Sequence, residues 1–207
     1  MSISSNALII FTRNPELGKG KRRLAATVGD QAAFEIYKFL LNHTRSITKT
    51  INAQPQVWYS EKIHDNDDWD NEIYQKFQQQ GDDLGRRMQH AFDTAFKSHD
   101  KVIIIGSDMY DMTTQDLDNA FQLLETNDAV IGPAIDGGYY LLGFKKSVPD
   151  NVFSNKIWGT ETVQEETLKD LKNLNYTMLE PRNDVDFYED IKDVPAFKPF
   201  LKHIHAQ

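Results

Sequence analysis

Val102-Ile103-Ile104-Ile105-Gly106-Ser107-Asp108 is an apolar run that closes on a carboxylate. An unbroken apolar stretch this short predicts a strand buried on both faces, and ligands in open α/β sheets collect beyond the carboxyl ends of such strands. Asp108 is thereby set where a carboxylate can hold a divalent cation. Downstream, Ala129-Val130-Ile131-Gly132-Pro133-Ala134-Ile135-Asp136-Gly137-Gly138-Tyr139-Tyr140 repeats the pattern and places a second aspartate after a strand.

Working toward the N-terminus, Ala7-Leu8-Ile9-Ile10-Phe11 predicts a first strand that runs into the basic loop Arg13-Asn14-Pro15-Glu16-Leu17-Gly18-Lys19-Gly20-Lys21-Arg22-Arg23-Leu24. Arg13, Lys19, Lys21, Arg22 and Arg23 crowd this loop, with Glu16 as its sole acid. Its spacing matches neither Walker A nor the Rossmann Gly-x-Gly-x-x-Gly. What remains is a turn whose glycines let amides approach a phosphate while lysine adds a point charge. A solvated basic loop is the alternative. Asn183-Asp184-Val185-Asp186 offers a second carboxylate pair, which a metal on Asp108 would need, and a turn before Tyr188 is the other reading. Asp108 or Asp111 could also simply cap the next helix.

The 207 residues, 40% hydrophobic, can bury a full core and are expected to form one domain over 1–207, with a C-terminal tail from about 195. A net charge of -8 and a pI near 5.2 argue against broad nucleic-acid binding. The local basic loop therefore points to a small anionic ligand. The absence of cysteine excludes disulfides, thiolate zinc sites and a cysteine nucleophile. Met1-Ser2-Ile3-Ser4-Ser5-Asn6 has no signal-peptide pattern, and no stretch approaches the roughly twenty apolar residues of a membrane helix. A cytoplasmic protein is expected. His203-Ile204-His205 reads as a solvated tail rather than a metal site.

Between these points strands alternate with helices. Asp30 is placed as an N-cap of a helix carrying Phe34, Tyr37, Leu40, Leu41, Thr44 and Ile47. Strands are expected at 56–59 and 73–77, separated by a solvated acidic loop, Asp65-Asn66-Asp67-Asp68-Trp69-Asp70. Helices are expected at 84–97, with Met88, Ala91, Phe92 and Ala95 inward, and at 113–125. Asp136-Gly137-Gly138 is a turn whose short connection suits an antiparallel insertion at 139–144. A helix at 160–174, a strand at 176–179 and a short helix at 188–194 complete a mainly parallel sheet covered on both faces.

Six blocks occur in order: Phe11 to Leu24 (Phe-x-Arg-x-Pro-x-x-Gly-x-x-Lys-x-Arg-Leu), Gly81 to Met88 (Gly-x-Asp-Leu-Gly-x-Arg-Met), Gly106 to Asp108, Asp136 to Gly143 (Asp-Gly-Gly-Tyr-Tyr-Leu-Leu-Gly), Trp158 to Thr160 and Asp184 to Asp186. Together they resemble the small bacterial glycosyltransferase-type proteins of the nucleotide-diphospho-sugar transferase superfamily, distant relatives of the molybdopterin and phospholactate guanylyltransferases. The resemblance spans Phe11 to about Ile191. It implies a single-domain GT-A-type α/β/α sandwich, mostly parallel with an antiparallel insertion, and a cofactor that is Mg²⁺ or Mn²⁺ on Asp108 and Asp186. By the same resemblance Arg13, Gly18, Lys21 and Arg23 meet the diphosphate, and Gly81, Asp83, Gly85 and Arg87 border the nucleoside. Gly137, Gly138, Tyr139, Trp158 and Thr160 face the sugar or acceptor, and Asp136 is the candidate catalytic base.

The implied function is glycosyl transfer from a nucleotide-diphosphate sugar to a small-molecule acceptor. Nucleotidyl transfer from a nucleoside triphosphate, with release of pyrophosphate, is the alternative, and a non-catalytic nucleotide-binding protein is a third. Two residues depart from the family pattern. Tyr110 stands where proline is usual and is expected to alter the rim of the metal site, and Arg22 replaces a threonine and adds charge. Asp111 is a further candidate ligand, although Asp108-Met109-Tyr110-Asp111 is not a strict Asp-x-Asp.

Overall fold

A computed structural model describes residues 5–204. Met1 to Ser4 of the N-terminal segment, and His205 of the C-terminal histidine pair, lie outside them. The elements follow in the order β1 (Asn6–Thr12), α1 (Arg22–Val28), α2 (Asp30–Thr48), β2 (Gln54–Tyr59), β3 (Gln75–Gln78), α3 (Leu84–Ala95), β4 (Lys101–Ile105), α4 (Thr114–Thr126), β5 (Ala129–Pro133), β6 (Tyr139–Lys145), α5 (Val163–Leu171) and β7 (Tyr176–Met178), with 3-10 turns at Tyr188–Asp190 and Pro195–Phe200. The strands form one seven-stranded sheet in the order β3-β2-β1-β4-β6-β5-β7. β6 runs antiparallel to both of its neighbours, β4 and β5, and the other pairings are parallel. The expected α/β sandwich with an antiparallel insertion is the observed fold.

Side-chain alternation along the buried strands divides the core. Leu8, Ile10, Ile103 and Ile105 face Tyr37 and Leu41 of α2 and Leu117, Phe121 and Leu124 of α4. Ala7, Ile9, Val102 and Ile104 face Met88, Ala91, Phe92 and Ala95 of α3 and Leu171 of α5. Strands covered on both faces cannot alternate apolar with polar residues, which is why they read as continuous apolar runs. Phe92 is fully buried against this sheet, and truncating such a side chain costs about 3–5 kcal/mol. A third cluster joins Leu24 and Val28 of α1, Ile36 and Leu40 of α2, and Val185, Ile191, Phe197 and Leu201. The C-terminal segment thus closes over α2, clamping the basic loop against the Asp184–Asp186 segment. His203 remains exposed, as expected, yet bonds the Val28 carbonyl at 2.8 Å.

Several local expectations are corrected. Gly29, not Asp30, occupies the N-cap position of α2, and Asp30 instead pairs with Arg22 at 2.8 Å. The acidic stretch 65–70 is no plain solvated loop. Asp67 accepts from the Tyr59 hydroxyl (2.6 Å) and from buried Lys76 (2.8 Å), and Trp69 is buried. A single carboxylate that satisfies two buried donors fixes a loop that charge composition alone leaves free. The short helix expected at 188–194 is a 3-10 turn over Tyr188–Asp190. Thr113 caps α4 through a capping box with Asp116, so neither Asp108 nor Asp111 serves as that cap.

Candidate active site

β1 and β4 are parallel neighbours, with Ile10 level with Ile105, so the chain segments leaving both strands emerge side by side at the carboxyl edge of the sheet. Lys21 turns into this edge. Its backbone is left-handed (φ 44°), an arrangement that costs a non-glycine residue roughly 1–2 kcal/mol. That strain delivers an almost fully buried ammonium 3.0 Å from Asp108 Oδ2 and 2.6 Å from the Val185 carbonyl. The Val185 N–H in turn donates to the Asp108 carbonyl at 3.1 Å. The basic loop, the end of β4 and the C-terminal segment are therefore tied at one point. Burial opposes the charge on Lys21, but the charge and hydrogen bond of Asp108 outweigh it, and the lysine pKa is raised.

Tyr37, read from sequence only as part of a helix face, organises the same edge from α2. Its hydroxyl accepts from the Arg13 N–H (3.0 Å), donates to the Arg13 carbonyl (2.8 Å) and lies 3.2 Å from Thr12 Oγ1. Burial first, and then the charge of Asp108, raise its pKa and keep the phenol protonated. A tyrosine at helical spacing carries no distinguishing sequence signal, so this role depends on the fold. Asp184 is the second addition. Burial raises its pKa, Lys21 lowers it, and the carboxylates of Asp108 and Asp136 raise it further. It therefore shares the electrostatics of this edge with both strand-end aspartates.

Two adjoining chambers share the walls Phe11 and Gly106. The first, about 310 Å³, is lined by Arg13, Gly20, Lys21, Tyr37, Ser107, Asp108 and Asp186, and Arg23 binds Asp186 at 2.7 Å. The second, about 220 Å³, has a mainly apolar wall of Leu84, Met88, Ile104, Tyr139, Trp158 and Val163, with Asp136, Gly138 and Thr160 at the same site. Asp136 Oδ1 accepts from the Gly138 N–H at 2.9 Å, which holds the carboxylate in a turn. Gly137 needs its positive φ of 89° there, and its carbonyl accepts from the Gln164 N–H at 2.9 Å, anchoring the turn to the start of α5.

Other predicted residues shape this cleft without lining it. Gly81, Asp83, Gly85 and Arg87 belong to neither chamber. Asp83 caps α3 by accepting from the Arg86 N–H (2.8 Å), and Arg87 donates to the Gly81 carbonyl (3.0 Å). A Cβ on Gly85 would come within 2.7 Å of the Trp158 ring, so this glycine is what lets the ring lie against the helix. Gly18 lies behind the loop, where its carbonyl accepts from Arg22, and Arg22 points to Asp30 instead of the charged chamber. Tyr110 packs against Phe39, His43 and Phe197 and does not form the rim of the charged chamber. Asp111 lies near Arg182 at 3.8 Å and lines neither chamber.

Among the described residues no group of three His, Cys, Asp or Glu side chains is placed to hold a metal ion. The oxygen donors of Asp108 and Asp186, two carboxylates on one chamber, nonetheless suit Mg²⁺ or Mn²⁺, which commonly take one or two carboxylates and fill the remaining positions with phosphate and water. Each carboxylate is already paired with a cation, Lys21 or Arg23, so metal binding would compete with those ion pairs. No helix among the described residues is long and apolar enough to cross a membrane.

Similarity to known proteins agrees with this architecture. No curated protein matches the chain in sequence. A crystal structure of a candidate nucleotide-diphospho-sugar transferase from Desulfovibrio desulfuricans G20 is 30% identical over 99% of this chain and 96% of its own, with a TM-score of 0.86. Two more distant structures share the fold. A cytidylyltransferase from Leptospira borgpetersenii is 14% identical over 98% of this chain and 94% of its own (TM-score 0.59). A CMP:2-keto-3-deoxy-manno-octonic acid synthetase complexed with CTP is 13% identical over 92% and 97% (TM-score 0.56). The model of the family described as uncharacterized proteins conserved in bacteria (DUF2064) matches residues 43–160. With more than half of its length under that model and a relative of the same fold along nearly all of it, the chain belongs to the DUF2064 family, within the nucleotide-diphospho-sugar transferase fold.

Proposed function

We propose that this protein transfers a sugar from a nucleotide-diphosphate donor to a small acceptor. The observation that carries the reading is the division of the cleft. Arg13 and Lys21 line the chamber beside Asp108 and Arg23 pairs with its Asp186, whereas the chamber beside Asp136 is lined by no cation. A diphosphate requires countercharge, and a neutral acceptor does not. In this reading Arg13, Lys21 and Arg23 hold the diphosphate and stabilise the charge that grows on it as the bond to the sugar breaks. Asp136, fixed by the Gly138 amide, takes the proton of the acceptor hydroxyl as that oxygen attacks the anomeric carbon. Asp108 and Asp186 would hold Mg²⁺ or Mn²⁺, which when bound neutralises phosphate charge as a Lewis acid.

Nucleotidyl transfer is the second reading, favoured by the shared fold with cytidylyltransferases and by the cationic loop, which would also suit a triphosphate. Its acceptor is a phosphate, for which the chamber beside Asp136, lined by a carboxylate and no cation, offers no countercharge. Product analysis separates the two readings. Release of a nucleoside diphosphate supports sugar transfer, and release of pyrophosphate from a triphosphate overturns it. If neither product forms and nucleotides bind all the same, the protein is a non-catalytic nucleotide binder.

A further inference from the structure

We infer that the acceptor is a single hydroxyl carried on an apolar skeleton, seated in the chamber between α3, β6 and Trp158. This rests on the transferase reading above and deepens it by naming the substrate class. The polar side chains around the chamber are few, and two of them are engaged elsewhere. Thr160 Oγ1 donates to the Ile157 carbonyl (2.8 Å) and lies 3.0 Å from Thr162 Oγ1, while the Tyr140 hydroxyl donates to the Glu180 carbonyl (3.2 Å). Asp136 keeps one carboxylate oxygen beyond its bond to Gly138. The Tyr139 hydroxyl has only the Met88 sulfur at 3.6 Å, a weak acceptor, and burial raises its pKa so that it remains a donor.

Asp136 is the one side-chain acceptor left at the wall for a hydroxyl proton, while the Tyr139 hydroxyl and the Trp158 indole N–H are donors to the hydroxyl oxygen, so the side chains satisfy one hydroxyl in full. A sugar would bury several hydroxyls against Leu84, Met88, Ile104 and Val163, where each unpaired group costs about 1–3 kcal/mol. A phosphorylated acceptor would bury charge where no cation lines the wall. Apolar surface also continues outward. Leu84 is 43% exposed, and Ile135 and Ile157, each next in sequence to a wall residue, are 69% and 72% exposed. An apolar skeleton thus has cover inside the chamber, and Leu84, itself part of the wall, carries apolar surface out to solvent. In the reaction the acceptor oxygen bonds to the anomeric carbon and its proton passes to Asp136. The bond from that carbon to the diphosphate breaks, and its electron pair leaves with the nucleoside diphosphate.

The test is isothermal titration of the full chain with 2-naphthol, an aromatic alcohol, with geraniol, an isoprenoid alcohol, with glucose and with glucose 1-phosphate. ADP, CDP, GDP and UDP with Mn²⁺ are titrated on the same preparation. The expected result is binding of at least one apolar alcohol, at least tenfold tighter than either sugar. Leu84→Asp should weaken it at least tenfold, and Ile157→Asp should weaken the longer geraniol, while diphosphate affinity stays within about twofold. Preserved diphosphate binding also shows that the variants fold. Failure of both apolar alcohols to bind, or equal binding to wild type and both variants, overturns the inference even where a diphosphate binds normally. If no diphosphate binds, the donor reading falls separately, and the alcohol titrations still decide what the chamber accepts.

Discussion

The two chambers share Phe11 and Gly106, yet they are built by different means. The charged one is held together by long-range polar bonds: Lys21 to Val185, Arg23 to Asp186, and Tyr37 to both backbone atoms of Arg13. The apolar one is held by packing, with Trp158 laid on Gly85 and Tyr139 against Met88. Each construction sets what its chamber tolerates. A network of fixed cations is sensitive to the loss of one charge, whereas a packed wall is sensitive to added volume.

The largest expected effect falls where the chambers meet in chemistry. Asp136→Asn should lower turnover by roughly a hundredfold or more while donor affinity is unchanged. Measuring both on one preparation breaks the comparison if donor affinity falls instead, because Asp136 would then belong to the charged side. Lys21→Ala or Arg23→Ala should weaken nucleoside diphosphate binding by about tenfold to a hundredfold, the scale of a charged hydrogen bond of roughly 1.5–3 kcal/mol. A nucleoside without phosphates should not respond to either change. On the same charged wall, chelation should weaken nucleotide binding to the parent protein, and Asp108→Ala should abolish that sensitivity. Equal affinity of the parent with and without chelator removes the metal from the account.

Two smaller effects sharpen the structural side. Gly85→Ala should destabilise the fold by about 1–3 kcal/mol in denaturant unfolding through overpacking against the Phe153 carbonyl and the Trp158 ring. A neutral result would mean that both the Phe153 backbone and the Trp158 ring give way and that the apolar wall is not preset. The smallest effect concerns Asp116, which is bonded by Thr113 and by Arg182 at 2.8 Å, while the Arg182 carbonyl accepts from the Ile135 N–H beside Asp136. Burial opposes the charge on Asp116, but hydrogen bonds from Thr113 and Arg182 prevail and lower its pKa. A lowered folded-state value stabilises above the ordinary aspartate pKa of about 3.9, and that stability is lost as pH falls through the folded value. Thr113→Ala should therefore cost about 1 kcal/mol at neutral pH, with a gap to wild type that narrows in acid. A gap independent of pH would show that the cap acts without the Asp116 charge.

Sequence patterning determined the strand succession, the helices other than α1, the antiparallel 139–144 insertion and the position of Asp108 beyond β4, because strands buried on both faces read as apolar runs and glycine turns mark their ends. It also singled out Lys21, Arg23, Asp136 and Asp186, since charge that follows a strand is visible locally, even though Arg23 stands in the first turn of α1 and not in a loop. Only the tertiary structure decided which of these share a wall. Lys21 and Val185 lie far apart in the chain and meet because the C-terminal segment packs over α2. Tyr37 looks like any inward aromatic until the fold brings its hydroxyl to Arg13. Gly85 and Asp83 carry a motif, but packing makes the one a seat for Trp158 and helix capping makes the other an N-cap. Tyr110 turned to Phe39 and Phe197 because an aromatic side chain gains more from a buried cluster than from a hydrated rim. Periodicity encodes which face of an element is buried. It does not encode which distant polar groups burial brings together, and that is what made one cleft into two chambers.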